Sequence, residues 1–151
     1  VIVVDLGCAN HDNIVPSLER LVEMFQPEFI FGFDPSPRLD ANVKEVAGVP
    51  CQLEQKAAWL WDGEVGFHDD NTGSHIGGAR GVPCLDFSKW LLALGERVTV
   101  KMDIEGAEWA LLTQLKVTGA DSLIDKMLVE WHKPLFDNEF GFSCPVETWE
   151  W

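Results

Sequence analysis

Short apolar runs alternate along the chain with stretches whose apolar residues recur every three or four positions. VIVVDL (Val1 to Leu6) is apolar, β-branched and ended by Gly7, the pattern of a strand buried on both faces. After the polar turn GCANHDN, Ile14, Leu18, Leu21, Val22 and Phe25 fall at helical spacing, and Pro27 follows the stop. FIFGF (Phe29 to Phe33) predicts a second buried strand, closed by DPSP, then a short helix over Leu39 to Ala47 and a turn at Gly48-Val49-Pro50. Cys51 to Leu60 reads as a third strand. Asp62-Gly63 is a hairpin signal leading into EVGFH, which alternates like an edge strand.

The Gly-rich stretch NTGSHIGGARG (Asn71 to Gly81) is expected to be mobile, and no G-K-[ST] ends it as a phosphate loop requires. Asp86 is placed to cap a helix through Leu94, with Gly95 as its stop. VTVKMD predicts the fourth strand, and Ala107 to Lys116 a helix with Leu111, Leu112 and Leu115 inward. MLVEWH (Met127 to His132) predicts the fifth, leaving residues 133–151 as an irregular tail. Strands alternating with helices give a single α/β domain over residues 1–151, with a mainly parallel twisted sheet and flanking helices.

Composition narrows the function. The formal net charge is −14, which argues against a nucleic-acid backbone as partner, because that interaction needs clustered Lys and Arg. It fits a neutral or cationic ligand, or a solvated acidic surface. No run approaches the roughly 20 apolar residues of a membrane span. Cys8, Cys51, Cys84 and Cys144 are widely spaced with no C-x-x-C pair, so free buried thiols in a reducing, cytoplasmic setting are expected. The chain opens on a core strand without Met, which suggests a domain trimmed from a longer protein.

Ligands of open α/β sheets bind outside the carboxyl ends of the strands, where the strand order reverses. Four predicted strands carry unusual polar groups at that end: Asp5 with Gly7, Asp34, Asp103 with Glu105, and Glu130 with His132. The first turn, GCANHD, lacks the three glycines of a dinucleotide fingerprint, and Asp12 would repel a pyrophosphate. Small Cys8 and Ala9, followed by Asn10, still allow close backbone approach. A nucleoside bearing an amino acid, such as S-adenosylmethionine, suits this turn better, since its ammonium favours acids and its carboxylate helix-terminal N–H groups. Asp34 is placed to accept both ribose hydroxyls, although Asp before Pro is also a turn former. Asp103, Glu105, Glu130 and His132 could form an acid–base pair or a divalent-ion site. Glu105 and Glu108 also suit a helix N-terminus for purely structural reasons.

VDLGCAN, FGFDPSP, QKAAW…DGEVGFH, VPCLDF, VKMDIEGAEWALL and LVEWH occur in the order and spacing of a known set. Over Val3 to His132 the chain resembles the FkbM-type methyltransferases. The resemblance implies a Rossmann-like class I fold, S-adenosylmethionine as cofactor, and O-methylation of a small hydroxylated or glycan acceptor. It also implies a cofactor turn at Asp5 and Gly7, a ribose-binding acid at Asp34, an adenine-side segment at Ala57 and Ala58, and signature acids at Asp103, Glu105 and Glu108. With the residues read above, the expected cofactor set is Asp5, Gly7, Cys8, Ala9, Asn10, Asp34, Ala57 and Ala58. The expected catalytic set is Asp103, Glu105 and His132. The chain departs from the family at His11, where the turn usually has a Gly, and in ending soon after the fifth strand, so the C-terminal hairpin is expected to be short or missing. Two other readings stay open: a non-catalytic nucleoside-binding or interaction domain, and a metal-dependent hydrolase using Asp103, Glu105 and His132.

Overall fold

A computed structural model describes residues 1–9, 16–68, 75–132 and 141–150. Strand β1 (Ile2–Leu6) leads through helix α1 (Pro16–Phe25) to β2 (Phe29–Phe33), then to the short β3 (Glu45–Val46), β4 (Val49–Glu54) and β5 (Ala57–Trp59). Strands β6 (Gly63–His68), β7 (His75–Ile76) and β8 (Arg80–Asp86) precede helix α2 (Phe87–Leu94). Strand β9 (Val98–Met102), helix α3 (Glu108–Thr118), a 3-10 turn at Ala120–Leu123, β10 (Ile124–Val129) and β11 (Val146–Thr148) follow.

Seven strands form one sheet in the order β11-β10-β9-β1-β2-β4-β3, parallel except for the β3–β4 pair. Four form a second sheet in the order β5-β8-β6-β7. The described residues therefore make a mixed α/β protein with three α-helices, and none is long and apolar enough to cross a membrane. Strand alternation decides the two faces of the large sheet. Val4, Leu6, Val100, Met102 and Val129 pack with Phe87, Leu91, Leu111, Leu112 and Leu115 of α2 and α3. Val3, Ile30 and Leu128 pack on the other face with Leu18 and Leu21 of α1.

Helix α2 has the expected ends: Asp86 accepts from the Lys89 N–H at 3.0 Å, and Gly95 closes it at φ +67°. Residues 39–47 are not a helix. Asp40 draws the backbone into a turn by accepting from Asn42 N–H at 2.9 Å, and Ala47 and Gly48 both take positive φ (48° and 83°). That pair is what a two-residue hairpin between β3 and β4 requires. The expected third strand is two strands in different sheets, split at Gln55-Lys56.

Asp62-Gly63 does not turn a hairpin either. β5 runs parallel to β8 and β6 antiparallel to it, with Ala57 and Gly63 both opposite Cys84, so the connection crosses the end of β8. EVGFH is interior to its sheet, between β8 and β7. From the Gly-rich stretch, His75–Ile76 form β7 and Arg80 starts β8, while residues 71–74 lie outside the described residues. The fifth strand ends at Val129 rather than His132, and the tail adds β11, a parallel edge strand. The four cysteines are free and buried, as their spacing predicted.

Gly7 ends β1 at φ +85°, and a Cβ there would lie 1.7 Å from the Asp103 carbonyl oxygen. The strand ends of β1 and β9 are thus in backbone contact, with Asp103 N–H bonded to Leu6 O at 2.9 Å. Gly7→Ala should therefore lose at least about 3 kcal/mol in urea denaturation, combining strain and overpacking. Gly106, at φ +93° with nothing within 4 Å, should lose only about 1–2 kcal/mol as Ala. Equal losses would contradict the close approach.

Candidate functional site

The strand order reverses between β1 and β9, and the charged residues gather at the carboxyl ends of these strands and their neighbours. Asp5 and Lys101 are register partners on β1 and β9, and both side chains are 0% exposed. Lys101 Nζ lies 3.1 Å from Asp5 Oδ1 and 3.5 Å from Asp103 Oδ2, and donates to the Gly7 carbonyl at 3.0 Å. Ser17 of α1 donates to Asp5 Oδ2 at 2.7 Å. Burial works against charge on Lys101, but the fields of Asp5 and Asp103 outweigh it and hold the ammonium above its usual value. Burial raises the Asp5 carboxyl, with Lys101 and Ser17 pulling the other way.

Asp34 closes β2 and is buried. Its Oδ2 accepts from Ala9 N–H at 3.0 Å and its Oδ1 from Ser36 N–H at 2.8 Å, so it clamps the turn after β1 to the turn after β2. Desolvation pushes its carboxyl up to about 6, against those two bonds. A carboxylate has about four acceptor sites, so both oxygens retain capacity for a ligand. Cys8 is buried beside Gly32, and burial pushes its thiol well up. Asn10 lies outside the described residues, as do His11 and Asp12.

The acids after β9 meet His132. The chain leaves the strand at Met102 and turns, with Glu105 at φ +48° and Gly106 at φ +93°. Asp103 and Glu105 therefore share a target through a turn, not through the strand alternation that the sequence suggested. His132 Nε2 lies 3.3 Å from Glu105 Oε1, 3.5 Å from Asp103 Oδ1 and 3.9 Å from Glu130 Oε2. Its Nδ1 is 2.6 Å from Glu108 Oε1, and the Glu108 carboxyl also accepts from Ile104 N–H at 3.4 Å.

The Glu108 hydrogen bond, then its field and those of Glu105 and Asp103, hold the imidazole protonated up to about 9 against desolvation. A proton and a divalent cation are alternative occupants of Nε2. Burial, with Glu130 close by, raises Asp103 to about 6. The ligand atoms of Asp103, Glu105 and His132 all lie within 4.8 Å of one another, so these three could hold a metal ion.

Ala57 and Ala58 belong to β5 and are buried in packing, Ala57 with Val65 and Cys84, Ala58 with Leu6, Phe33 and Met102. His75 pairs across the strands with His68, ring centroids 5.2 Å apart. Trp109 and Trp131 are half-buried, with centroids 6.2 Å apart. Sequence reasoning missed Lys101 and the His132 contact of Glu108. A Lys inside the otherwise uncharged run VTVKM was the available signal for the first, because an interior ammonium needs carboxylates around it.

No known family model, curated protein or solved structure gives a match to the chain.

The clamp by Asp34 has a pH signature. Its folded carboxyl titrates at about 6 against an ordinary 3.8, so the native state holds the proton more tightly than the unfolded chain. This group's contribution to stability is full below about pH 4 and falls as pH rises through 6. Between those limits the stability of the wild type should drop relative to Asp34→Asn by up to about 3 kcal/mol in denaturant titrations. A gap independent of pH would mean that the carboxyl is not desolvated.

Proposed function

We propose that the chain is an S-adenosylmethionine-dependent methyltransferase with a Rossmann-like class I fold, acting on the hydroxyl of a small or glycan acceptor in a reducing, cytoplasmic setting. The observation that carries this reading is the meeting of three strand ends at one reversal of strand order: the Asp5–Gly7 turn, Asp34 and the Asp103 cluster. Methyl transfer is an in-line displacement at a carbon already activated by its sulfonium, so the protein's work is alignment and removal of one proton. On this reading the backbone of Gly7, Cys8 and Ala9 faces the donor, and Asp34 accepts the ribose hydroxyls. The sulfonium lies towards Asp103, where surrounding carboxylates favour positive charge. The acceptor hydroxyl sits between Asp103, Glu105 and Nε2 of His132, whose ring is oriented by Glu108.

Two features favour a second reading, a non-catalytic nucleoside-binding or interaction domain. Both Asp34 oxygens already serve the fold, and Ala57 and Ala58 are enclosed by packing. Binding without turnover would identify that case.

Calorimetry should show one site for S-adenosylmethionine or its demethylated product, weakened by roughly 1.5–3 kcal/mol in Asp34→Ala, the scale of a hydrogen bond to a charged group. Asp103→Asn should keep the fold and lower turnover by roughly 10²–10⁴ on an accepted substrate. Tight binding of NAD with no response to either adenosyl compound would remove the methyltransferase reading.

A further inference from the structure

The two nitrogens of His132 are held differently. Nδ1 makes a short contact of 2.6 Å with the buried Glu108 carboxylate. Nε2 faces carboxylate oxygens at 3.3 and 3.5 Å, with a third at 3.9 Å. Those separations exceed the about 2.7–2.9 Å of a charge-assisted N–H···O bond. They match the distance between neighbouring ligand atoms around one ion, about 3.0–3.5 Å when each bond is about 2.0–2.2 Å. A carboxylate on the far nitrogen is the arrangement that fixes the ring of a metal-ligating histidine and raises its basicity.

We propose that Asp103, Glu105 and His132 bind a divalent transition ion, Mn2+ or Zn2+, with Glu108 orienting the imidazole. The ligand chemistry selects the class. An imidazole with two carboxylates suits these ions, whereas Ca2+ and Mg2+ prefer all-oxygen shells. The site has an entry path, because Glu105 is 41% exposed while Asp103 is 12% exposed. Ion binding stands on these residues alone; its role rests on the methyltransferase reading, in which the ion would bind the acceptor oxygen and ease loss of its proton.

The test is calorimetry of chelator-stripped protein with MnCl2, ZnCl2 and MgCl2, without any adenosyl compound, in a His68→Gln/His75→Gln background that removes the exposed imidazole pair. One equivalent of Mn2+ or Zn2+ should bind at least about tenfold more tightly than Mg2+. Glu105→Gln, at an exposed position, should fold normally and weaken the ion at least about tenfold, and Glu108→Gln about 10–100-fold. No binding, equal affinity for Mg2+, or an unchanged affinity in Glu105→Gln would overturn the proposal. Because no donor is present, failure here is separate from failure of the adenosyl calorimetry.

Discussion

The carboxyl edge of the sheet is organised around one buried ammonium. Lys101 sits with no exposure between Asp5 and Asp103 and donates to the carbonyl of Gly7. It ties β1, the turn that follows it and the end of β9 to a single point. A buried ion pair adds little net stability over apolar packing, but removing one partner costs about 3–5 kcal/mol, because the other charge is left uncompensated. The arrangement also fixes register. Only the pairing of Asp5 with Lys101 puts the two charges side by side, and a slip would bury each alone.

Other parts of the molecule serve that point. Ser17 reaches Asp5 from α1, and Trp149, whose backbone N–H donates to Val129 O at 2.9 Å, has its indole centroid 5.7 Å from the Lys101 ammonium. The same indole stacks under Arg20, at 4.3 Å, so the segment after β11 helps to enclose the pair. With Lys101 satisfied inside, Glu105 and Glu130 lie nearer the surface around His132, while Glu108 is buried beside it. Three carboxylates about Nε2 and a fourth on Nδ1 repel one another, and a bound cation or the imidazolium itself offsets that repulsion.

The parts of the fold that were legible in the sequence are those with a single strong local cause. β1, β2 and β9 are mostly apolar runs, interrupted only by Asp5, Gly32, Thr99 and Lys101, and Asp86 and Gly95 mark α2 by capping chemistry. Residues 39–47 misled because their composition tolerates a helix, while the Asp40 side chain and the Ala47-Gly48 pair act only through backbone geometry. β8 was not anticipated, since Gly81 and Pro83 interrupt the strand pattern; Pro83 is exposed, opposite Glu64. Of the candidate site, Asp5, Gly7, Asp34, Asp103, Glu105 and His132 do reach one edge. Their contacts were hidden because they depend on strand order and on a turn at positive φ. Lys101 escaped because a strand buried on both faces has no periodicity to say where a charge points.

The proposed seat of an adenosyl methyl donor at this edge can be checked by a crystal structure of the chain with S-adenosylhomocysteine. The ligand is expected outside the ends of β1 and β2, with its ribose hydroxyls on Asp34 and its sulfur facing Asp103. An adenosyl group seated elsewhere, for instance on the β5–β8 sheet, with the Asp34 carboxylate still bonded only to Ala9 and Ser36, would contradict that placement.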